Sequence, residues 1–299
     1  MTSTQQMPIS QALRYCGEIT KKRARNFYYG LKLAPQPQRS ALFTIYAWMR
    51  CADDLVDDAS DDSRQCMEQI ETFRANTDTA LAGNEVDDDD PMWIALADIA
   101  QSFDVQPQML HAMLDGQIDD LAGRQYESFE QLHEYCYRVA SSVGLVCISI
   151  WGYTDQAAPE LAIHRGIAFQ LTNILRDYKE DYDVGRIYLP AEDFAAAKLS
   201  PQQLRDWSQP DKCRQFIDEQ VQRAKSYYDR SKALDQMITP SCRPALWAMT
   251  TIYRSLLRKI QRQPAQIIES KRVRLGAWHK GMIAFRAKFG GVVTRNGSH

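Results

Sequence analysis

Residues 41–58 read Ala41-Leu42-Phe43-Thr44-Ile45-Tyr46-Ala47-Trp48-Met49-Arg50-Cys51-Ala52-Asp53-Asp54-Leu55-Val56-Asp57-Asp58. The first half is apolar on every face of a helix, which puts that helix inside a bundle and not on its surface. Carboxylates then enter abruptly. Asp53 and Asp57 are four apart, so they stack on one face and repel each other unless a cation or basic group lies between them. A hard divalent ion takes oxygen from one or two carboxylates and fills its remaining positions with water and phosphate oxygens. On this segment alone, a magnesium site bridging to a diphosphate and a helix end that emerges into solvent are both open.

Outward from this stretch, apolar residues recur at helical spacing through nearly the whole chain, and short alternating runs rich in β-branched residues are hard to find. The expected fold is all-α, with helices near 10–30, 38–58, 64–82, 92–102, 107–121, 128–151, 159–182, 211–236, 241–262 and 272–288. Prolines punctuate them: Pro35 and Pro37 separate the first two, Pro91, Pro107 and Pro159 stand near later starts, and Ser200-Pro201-Gln202-Gln203 reads as N-cap, first-turn proline and capping-box glutamine. No long linker or repeat is present, so one domain is expected over 10–290, with 1–9 and 291–299 as flexible termini. The run Asp87-Asp88-Asp89-Asp90 reads as a solvated loop and is left out of the site.

A second helix repeats the pattern of the first. Gly166-Ile167-Ala168-Phe169-Gln170-Leu171-Thr172-Asn173-Ile174-Leu175-Arg176-Asp177-Tyr178-Lys179-Glu180-Asp181 begins apolar and then carries Asn173, Asp177 and Asp181 at steps of four, with Gln170 three before Asn173. From Asn173 to Asp181 the stripe spans about 12 Å, enough for more than one ion or for an ion and a phosphate. A solvated face partnered by Lys179 and Arg176 is the other reading. Two such stripes on two apolar helices, facing each other, would hold magnesium against a diphosphate and make it a good leaving group. Arg50, Arg176 and Arg186 are nearby forks for phosphate oxygens.

Composition closes off other classes. The 299 residues are 44% hydrophobic and 25% charged with formal net charge -2, which suits a globular chain and argues against nucleic acid as a partner. The seven cysteines show no C-x-x-C pair and read as reduced, mostly buried thiols of a cytoplasmic protein. The start has no signal-peptide pattern, and no stretch approaches the ~18 uncharged apolar residues of a membrane span. Membrane contact is therefore expected to be peripheral, at the inner face, with the basic stretch Lys271 to Lys280 against an anionic surface.

The two stripes resemble a known family. Asp53-Asp54-Leu55-Val56-Asp57 within Tyr46 to Ala52 is similar to the first D-x-x-x-D motif of the squalene and phytoene synthases. Asn173 to Asp181, followed by Gly185-Arg186-Ile187-Tyr188-Leu189-Pro190, is similar to the second, N-x-x-R-D-x-x-E-D. Arg25-Asn26-Phe27-Tyr28-Tyr29-Gly30 resembles the N-terminal substrate segment, with Asn26 where the family has a small hydroxylated residue. Tyr135-Cys136-Tyr137-Arg138-Val139-Ala140-Ser141-Ser142-Val143-Gly144 resembles Y-C-x-x-V-A-G-x-V-G, with Ser141 for glycine. The resemblance covers roughly residues 10–290.

It implies a single isoprenoid-synthase helical bundle with a central cavity and both motifs at its mouth. Asp53, Asp54, Asp57, Asn173, Asp177 and Asp181 would hold Mg2+, with Mn2+ the alternative ion. Arg25, Arg50, Gln170, Arg176, Arg186 and Tyr188 would contact the diphosphates, and Phe27, Leu31, Phe43, Tyr46, Val139, Val143, Leu145 and Phe169 would line the cavity, with Leu31 and Phe43 at its floor. Tyr46 and Tyr135 would face a cation, Tyr135 or the released diphosphate would take a proton, and Tyr253 would line a second pocket. The reaction implied is head-to-head condensation, with two farnesyl diphosphates giving presqualene diphosphate, and onward squalene or dehydrosqualene, as the favoured reading and two geranylgeranyl diphosphates giving phytoene as the alternative. NADPH enters only if the product is squalene; the chain has no G-x-G-x-x-G. A head-to-tail elongating enzyme would lack the Asn173-to-Asp181 stripe followed by Gly185-Arg186, and a non-catalytic relative would have lost some of the acids.

Overall fold

Helical periodicity carries through to the three-dimensional structure, a computed structural model that describes residues 7–57, 63–270 and 272–289. Among these residues there are helices and turns, and the only strand-like pairing is an isolated bridge between Tyr153 and Ile238. The chain runs α1 (Ile9–Arg23), α2 (Arg25–Leu31), α3 (Gln38–Asp57), α4 (Ser63–Leu81), α5 (Pro91–Ser102), α6 (Pro107–Leu121), α7 (Phe129–Cys136), a π turn (Tyr137–Ser141), α8 (Ser142–Trp151), α9 (Ala158–Asp183), α10 (Ala191–Ala196), α11 (Pro201–Arg205), α12 (Pro210–Arg230), α13 (Leu234–Met237), α14 (Arg243–Arg262), a 3-10 turn (Pro264–Ile268) and α15 (Ala277–Phe289).

The expected stretch 10–30 is broken at Ala24, and 128–151 is interrupted by the π turn, a single wide turn that re-aims the helix while keeping its backbone bonded. Helices α10 and α11 went unread as elements because each is about one turn long, although the capping box of Ser200 and Gln203 that opens α11 is present on both sides. Proline stands in the first turn of α5, α6, α9, α11, α12 and α14, where its missing N–H has no partner to lose. Asp90, the last of the acidic run, caps α5 by accepting from the Met92 amide at 2.8 Å. The termini 1–6 and 290–299 and Asp58 lie outside the described residues, and Ile9, expected in a terminus, opens α1.

Two apolar cores sit side by side. One packs α1, α3, α4, α5, α6 and α8 around Trp48, Leu42, Ile70 and Leu96; the other packs α7, α9, α12 and α14 around Phe216, Tyr228, Leu171 and Ile252. The buried Trp48 N–H donates to Thr77 Oγ1 at 3.0 Å, whereas the buried Trp151 N–H of the same core has no partner among the described residues. Phe27, Leu33 and Phe169 touch both cores, and the space between them is the cavity described next. All seven cysteines are free and six are buried; burial pushes the Cys16 and Cys147 thiols up to about 12, which keeps them inert.

Candidate active site

A cavity of about 320 Å3 runs between the cores. Helix α9 lines it from Ala162 to Asn173, eleven steps along the helix that span about 16 Å at 1.5 Å per residue. Its deep end is Trp151, Leu234, Leu246 and Met249, its walls include Phe27, Val139, Val143 and Phe169, and its other end is polar. There α3 contributes Asp53, α6 contributes Gln117 and Asp120, α7 contributes Tyr135, and α9 contributes Gln170 and Asn173. Asp53 of the first stripe and Gln170 and Asn173 of the second therefore open into one space, because Met49 and Asp53, Met113, Gln117 and Asp120, and Phe169, Gln170 and Asn173 each fall on one face of their helix; Asp177 and Asp181 are not among the residues that line it.

Side by side, the polar groups are tightly partnered. Gln117 Nε2 donates to Asp53 Oδ1 at 2.7 Å, and Arg50 Nη1 lies 3.6 Å from Asp53 Oδ2. Asp54, which the resemblance placed among the metal ligands, is instead paired with Arg50 and with Arg23 at 2.8 Å; it stands one residue round the helix from Asp53 and off the cavity. The side chains of Asp57, Arg25 and Asn26 lie outside the described residues. On α9, Asp177 is gripped by two guanidinium groups, Arg176 (2.7 and 2.5 Å) and Arg272. Burial would raise the Asp177 carboxyl, and the two arginines outweigh it and bring it below the ordinary carboxylate range. Arg176 is thereby engaged by protein, and Arg272, read in sequence only as part of a basic surface stretch, belongs to the site.

One turn on, Asp181 has no such clamp. Burial, and then the neighbouring Asp177 charge, push its carboxyl up to about 7 against the partial relief from Arg186 and Arg272. Asn173 donates through Nδ2 to Gln170 Oε1 at 3.2 Å while its buried Oδ1 has no hydrogen-bond partner among the described residues. A buried acceptor without a donor and a buried carboxyl pressed toward neutrality both fit a hard cation as the absent partner. Among the described residues no group of three or more His, Cys, Asp or Glu side chains could hold a metal ion by itself.

Asp120 is the residue that sequence reasoning missed at the centre of this end. Tyr135 Oη donates to its Oδ2 at 3.0 Å and Tyr188 Oη to its Oδ1 at 2.9 Å, and the two rings stack at 5.1 Å between centroids. Burial raises the Asp120 carboxyl in spite of both donors and of Arg186 nearby. Burial first, and Asp120 second, hold the Tyr135 phenol well above its usual range, so it stays protonated. Tyr253 is buried behind the wall, stacked on Phe169 at 4.5 Å and near Phe27 at 5.5 Å, within reach of Arg176 and Asn173. Burial and then Asp53 push the Tyr46 phenol up to about 12, but Tyr46 does not line the cavity.

The floor is not where the sequence put it. Phe43 is six residues before Met49, about 120° away around α3 at 100° per residue, and stacks on Tyr28 at 5.9 Å. Leu31 is 4% exposed in the first core, and Leu145 packs against that core too; none of the three lines the cavity. The deep lining instead contains a buried arginine that no motif announces. Arg165 donates to Ser231 Oγ (2.9 Å), the Ser231 carbonyl (2.8 Å), Asp235 (3.0 Å) and Thr250, so its charge is satisfied by the wall behind it.

Residues 20–279 match the family model described as squalene/phytoene synthase. The chain is 34% identical over 284 residues to a 15-cis-phytoene synthase of Synechococcus elongatus, covering 91% of each, and 36% identical over 260 residues to phytoene synthase 2 of Solanum lycopersicum, covering 85% of this chain and 82% of that protein. A crystal structure of a dehydrosqualene synthase in complex with ligand superposes with TM-score 0.80 at 29% identity, over 94% of this chain and 96% of the other. A squalene synthase of Alicyclobacillus acidocaldarius has the same fold, with TM-score 0.79 at 23% identity over 87% of this chain and 97% of the other. With the bundle, the cavity and the paired oxygen-rich stripes in hand, the chain belongs to the squalene/phytoene synthase family, and its homologues there are prenyltransferases.

Proposed function

We propose that this protein condenses two geranylgeranyl diphosphates head to head to phytoene. The observation that carries this reading is the meeting of Asp53, Gln117 and Asp120 with Gln170 and Asn173 at one end of a single apolar cavity. The farnesyl substrate favoured by the sequence reading gives way because the relatives sharing about a third of their residues over most of their length are named phytoene synthases. The dehydrosqualene synthase likeness keeps the farnesyl reaction as the second reading.

The chemistry balances without a reductant. The C1–O bond of one substrate breaks, the 2,3 double bond of the second supplies the electron pair for the new carbon–carbon bond, and a proton leaves as a cyclopropane closes. The remaining C–O bond then breaks, the ring opens by rearrangement, and a second proton leaves to form the central double bond. Hydride from NADPH in place of that last proton loss would give the squalene-type product. Magnesium held by Asp53, Asp57, Asn173, Asp177 and Asp181 would neutralise the diphosphates and so ease their departure.

Protein residues do the rest. Arg50, Arg186 and Arg272 stand at the polar end to receive phosphate oxygens, and Arg272 and Arg176 exchange their hold on Asp177 for that role as the site fills. Phe27, Val139, Val143 and Phe169 exclude water from the cation, and the faces of Phe27, Phe169 and Tyr135 stabilise it, by about 2 kcal/mol per desolvated contact. As a neutral phenol, Tyr135 cannot simply accept a proton. It passes its own to Asp120 as it receives one from the substrate, and the raised Asp120 carboxyl suits that relay.

Incubation of the purified protein with magnesium and either the C15 or the C20 diphosphate, with and without NADPH, tests the proposal by the lipid formed. Phytoene from the C20 substrate, indifferent to NADPH, is expected. A C30 hydrocarbon from the C15 substrate alone would move the assignment to the farnesyl reading, and no condensation product from either would remove both.

A further inference from the structure

Helix α15 uses only one of its faces for the fold. Ile283, Ala284 and Ala287 are buried against the body of the protein, where α15 meets α2 and α14. On the opposite side Trp278, Met282, Phe285 and Phe289 are 78%, 41%, 63% and 64% exposed. At about 100° per residue these four lie within a sector of about 60°, centred roughly 180° from the buried set. Arg286 and Lys288, both exposed, flank the stripe on either side, roughly 70–90° from its centre.

We infer that this stripe docks on the surface of an anionic lipid bilayer. Residues 271–289 contain six Lys and Arg and no Asp or Glu in a chain whose formal net charge is -2, so this exposed apolar stripe sits in a segment whose charge is all of one sign. The rings fit the boundary between headgroups and acyl chains, while the long stems of Arg286 and Lys288 reach back to lipid phosphates. A second copy of the chain is a poorer occupant, since a two-fold contact through the stripe would bring these cations against their own copies. No described helix is long and apolar enough to cross a membrane. The stripe therefore lies on the bilayer and does not enter it.

The basic stretch 271–280 suggested a surface from sequence, and the structure moves the contact along the chain. Arg272 is committed to Asp177, Lys259 holds the Arg274 carbonyl at 3.2 Å, and Lys271 lies outside the described residues. What remains for a bilayer is the outer face of 278–289, together with the exposed side chain of Arg274. The helix adjoins the cavity through its other face: α15 packs on α2, which carries the lining residue Phe27, and Lys280 Nζ lies 5.9 Å from the centre of the Tyr29 ring. Prenyl chains would then pass between bilayer and cavity over a short path, a consequence that rests on the proposed function; the docking itself does not.

Co-sedimentation of the full chain with vesicles tests the inference. Phosphatidylcholine vesicles containing phosphatidylglycerol should carry the protein down at low salt, and pure phosphatidylcholine should do so at least about tenfold less well. The double variant Trp278→Ser/Phe285→Ser should bind the mixed vesicles at least about tenfold less well, with an unchanged circular-dichroism melt, while Ile9→Ser, which removes an exposed apolar residue off the stripe, should bind like the parent. Arg286→Ser/Lys288→Ser, altered only at exposed positions, should lose the preference for phosphatidylglycerol. Absence of binding to the mixed vesicles, binding indifferent to both double variants, or a dimer in sedimentation velocity that the Trp278/Phe285 change dissolves would each overturn it.

Discussion

Asp120 accepts two tyrosine hydroxyls and still has its carboxyl raised, because burial outweighs both donors. If it receives the proton that Tyr135 passes on, Asp120→Asn and Tyr135→Phe should each lower kcat by about 10²–10⁴ with little change in KM, and the double variant should be little worse than either alone. Steady-state kinetics on the three variants decide it; additive losses would separate the two residues. Asp181 makes a different prediction. A carboxyl raised to about 7 binds its proton more tightly in the folded than in the unfolded chain, so the stability it contributes is present below its ordinary value of 3.8 and is lost as pH rises through about 7. Metal-free protein should therefore melt at a lower temperature at high pH than in mild acid, and Asp181→Asn should flatten that slope; a scan of Tm against pH in EDTA checks it. Asp53 and Asn173 could be picked from the sequence because each belongs to a run spaced by four. Asp120 and Arg272 could not, since their partners lie 15, 68 and 95 residues away and no local pattern marks such pairs.

Helix α9 approaches the π turn so closely at Gly166 that a Cβ there would meet Ser141 Cα at 2.5 Å and its amide nitrogen at 2.7 Å. Backbone cannot step aside as a flexible side chain can, so Gly166→Ala should cost roughly 1–3 kcal/mol and lower Tm accordingly, measured by denaturant or thermal melts. The small residue at 141 serves the same contact, and its hydroxyl donates to the Ile163 carbonyl at 2.8 Å. The π turn that makes this approach sits inside what reads in sequence as one continuous helix, since apolar spacing does not register one wide turn. Helix α8 in turn brings Cys147, Ile148 and Trp151 to the deep end of the cavity. Cys147→Phe should shorten it and shift the ratio of kcat/KM from the C20 toward the C15 substrate by about 10–200-fold, whereas Phe43→Leu, on another face of α3, should leave the ratio unchanged. Competition between the two diphosphates reads both variants.

At the scale of the molecule, the two cores are held apart at one end by charge and closed at the other by apolar packing. In the proposed reaction the magnesium ion would take part of its shell from phosphate oxygens of the substrate. Magnesium alone should therefore raise Tm only slightly, and magnesium with inorganic diphosphate should raise it by about 2.7 kcal/mol worth of stabilisation at one hundred times the apparent Kd. Differential scanning fluorimetry with each component alone and together measures this, and Asn173→Ala should abolish the joint effect. A full response to magnesium alone would contradict the shared coordination.

The sequence by itself determined the all-helical class and the two oxygen-bearing stripes, because helical periodicity and spacings of four are local properties of the chain. It also carried the family resemblance, which lies in short contiguous motifs. Only the tertiary structure decided which of those residues look into the cavity. It turned Phe43 and Leu31 away from it, tied Asp54 and Asp177 to arginines, brought Asp120 between two tyrosines and left four large apolar side chains on the outside of α15. Each of these outcomes depends on how helices rotate about their own axes when they pack, and that rotation is fixed by contacts between residues far apart in the chain.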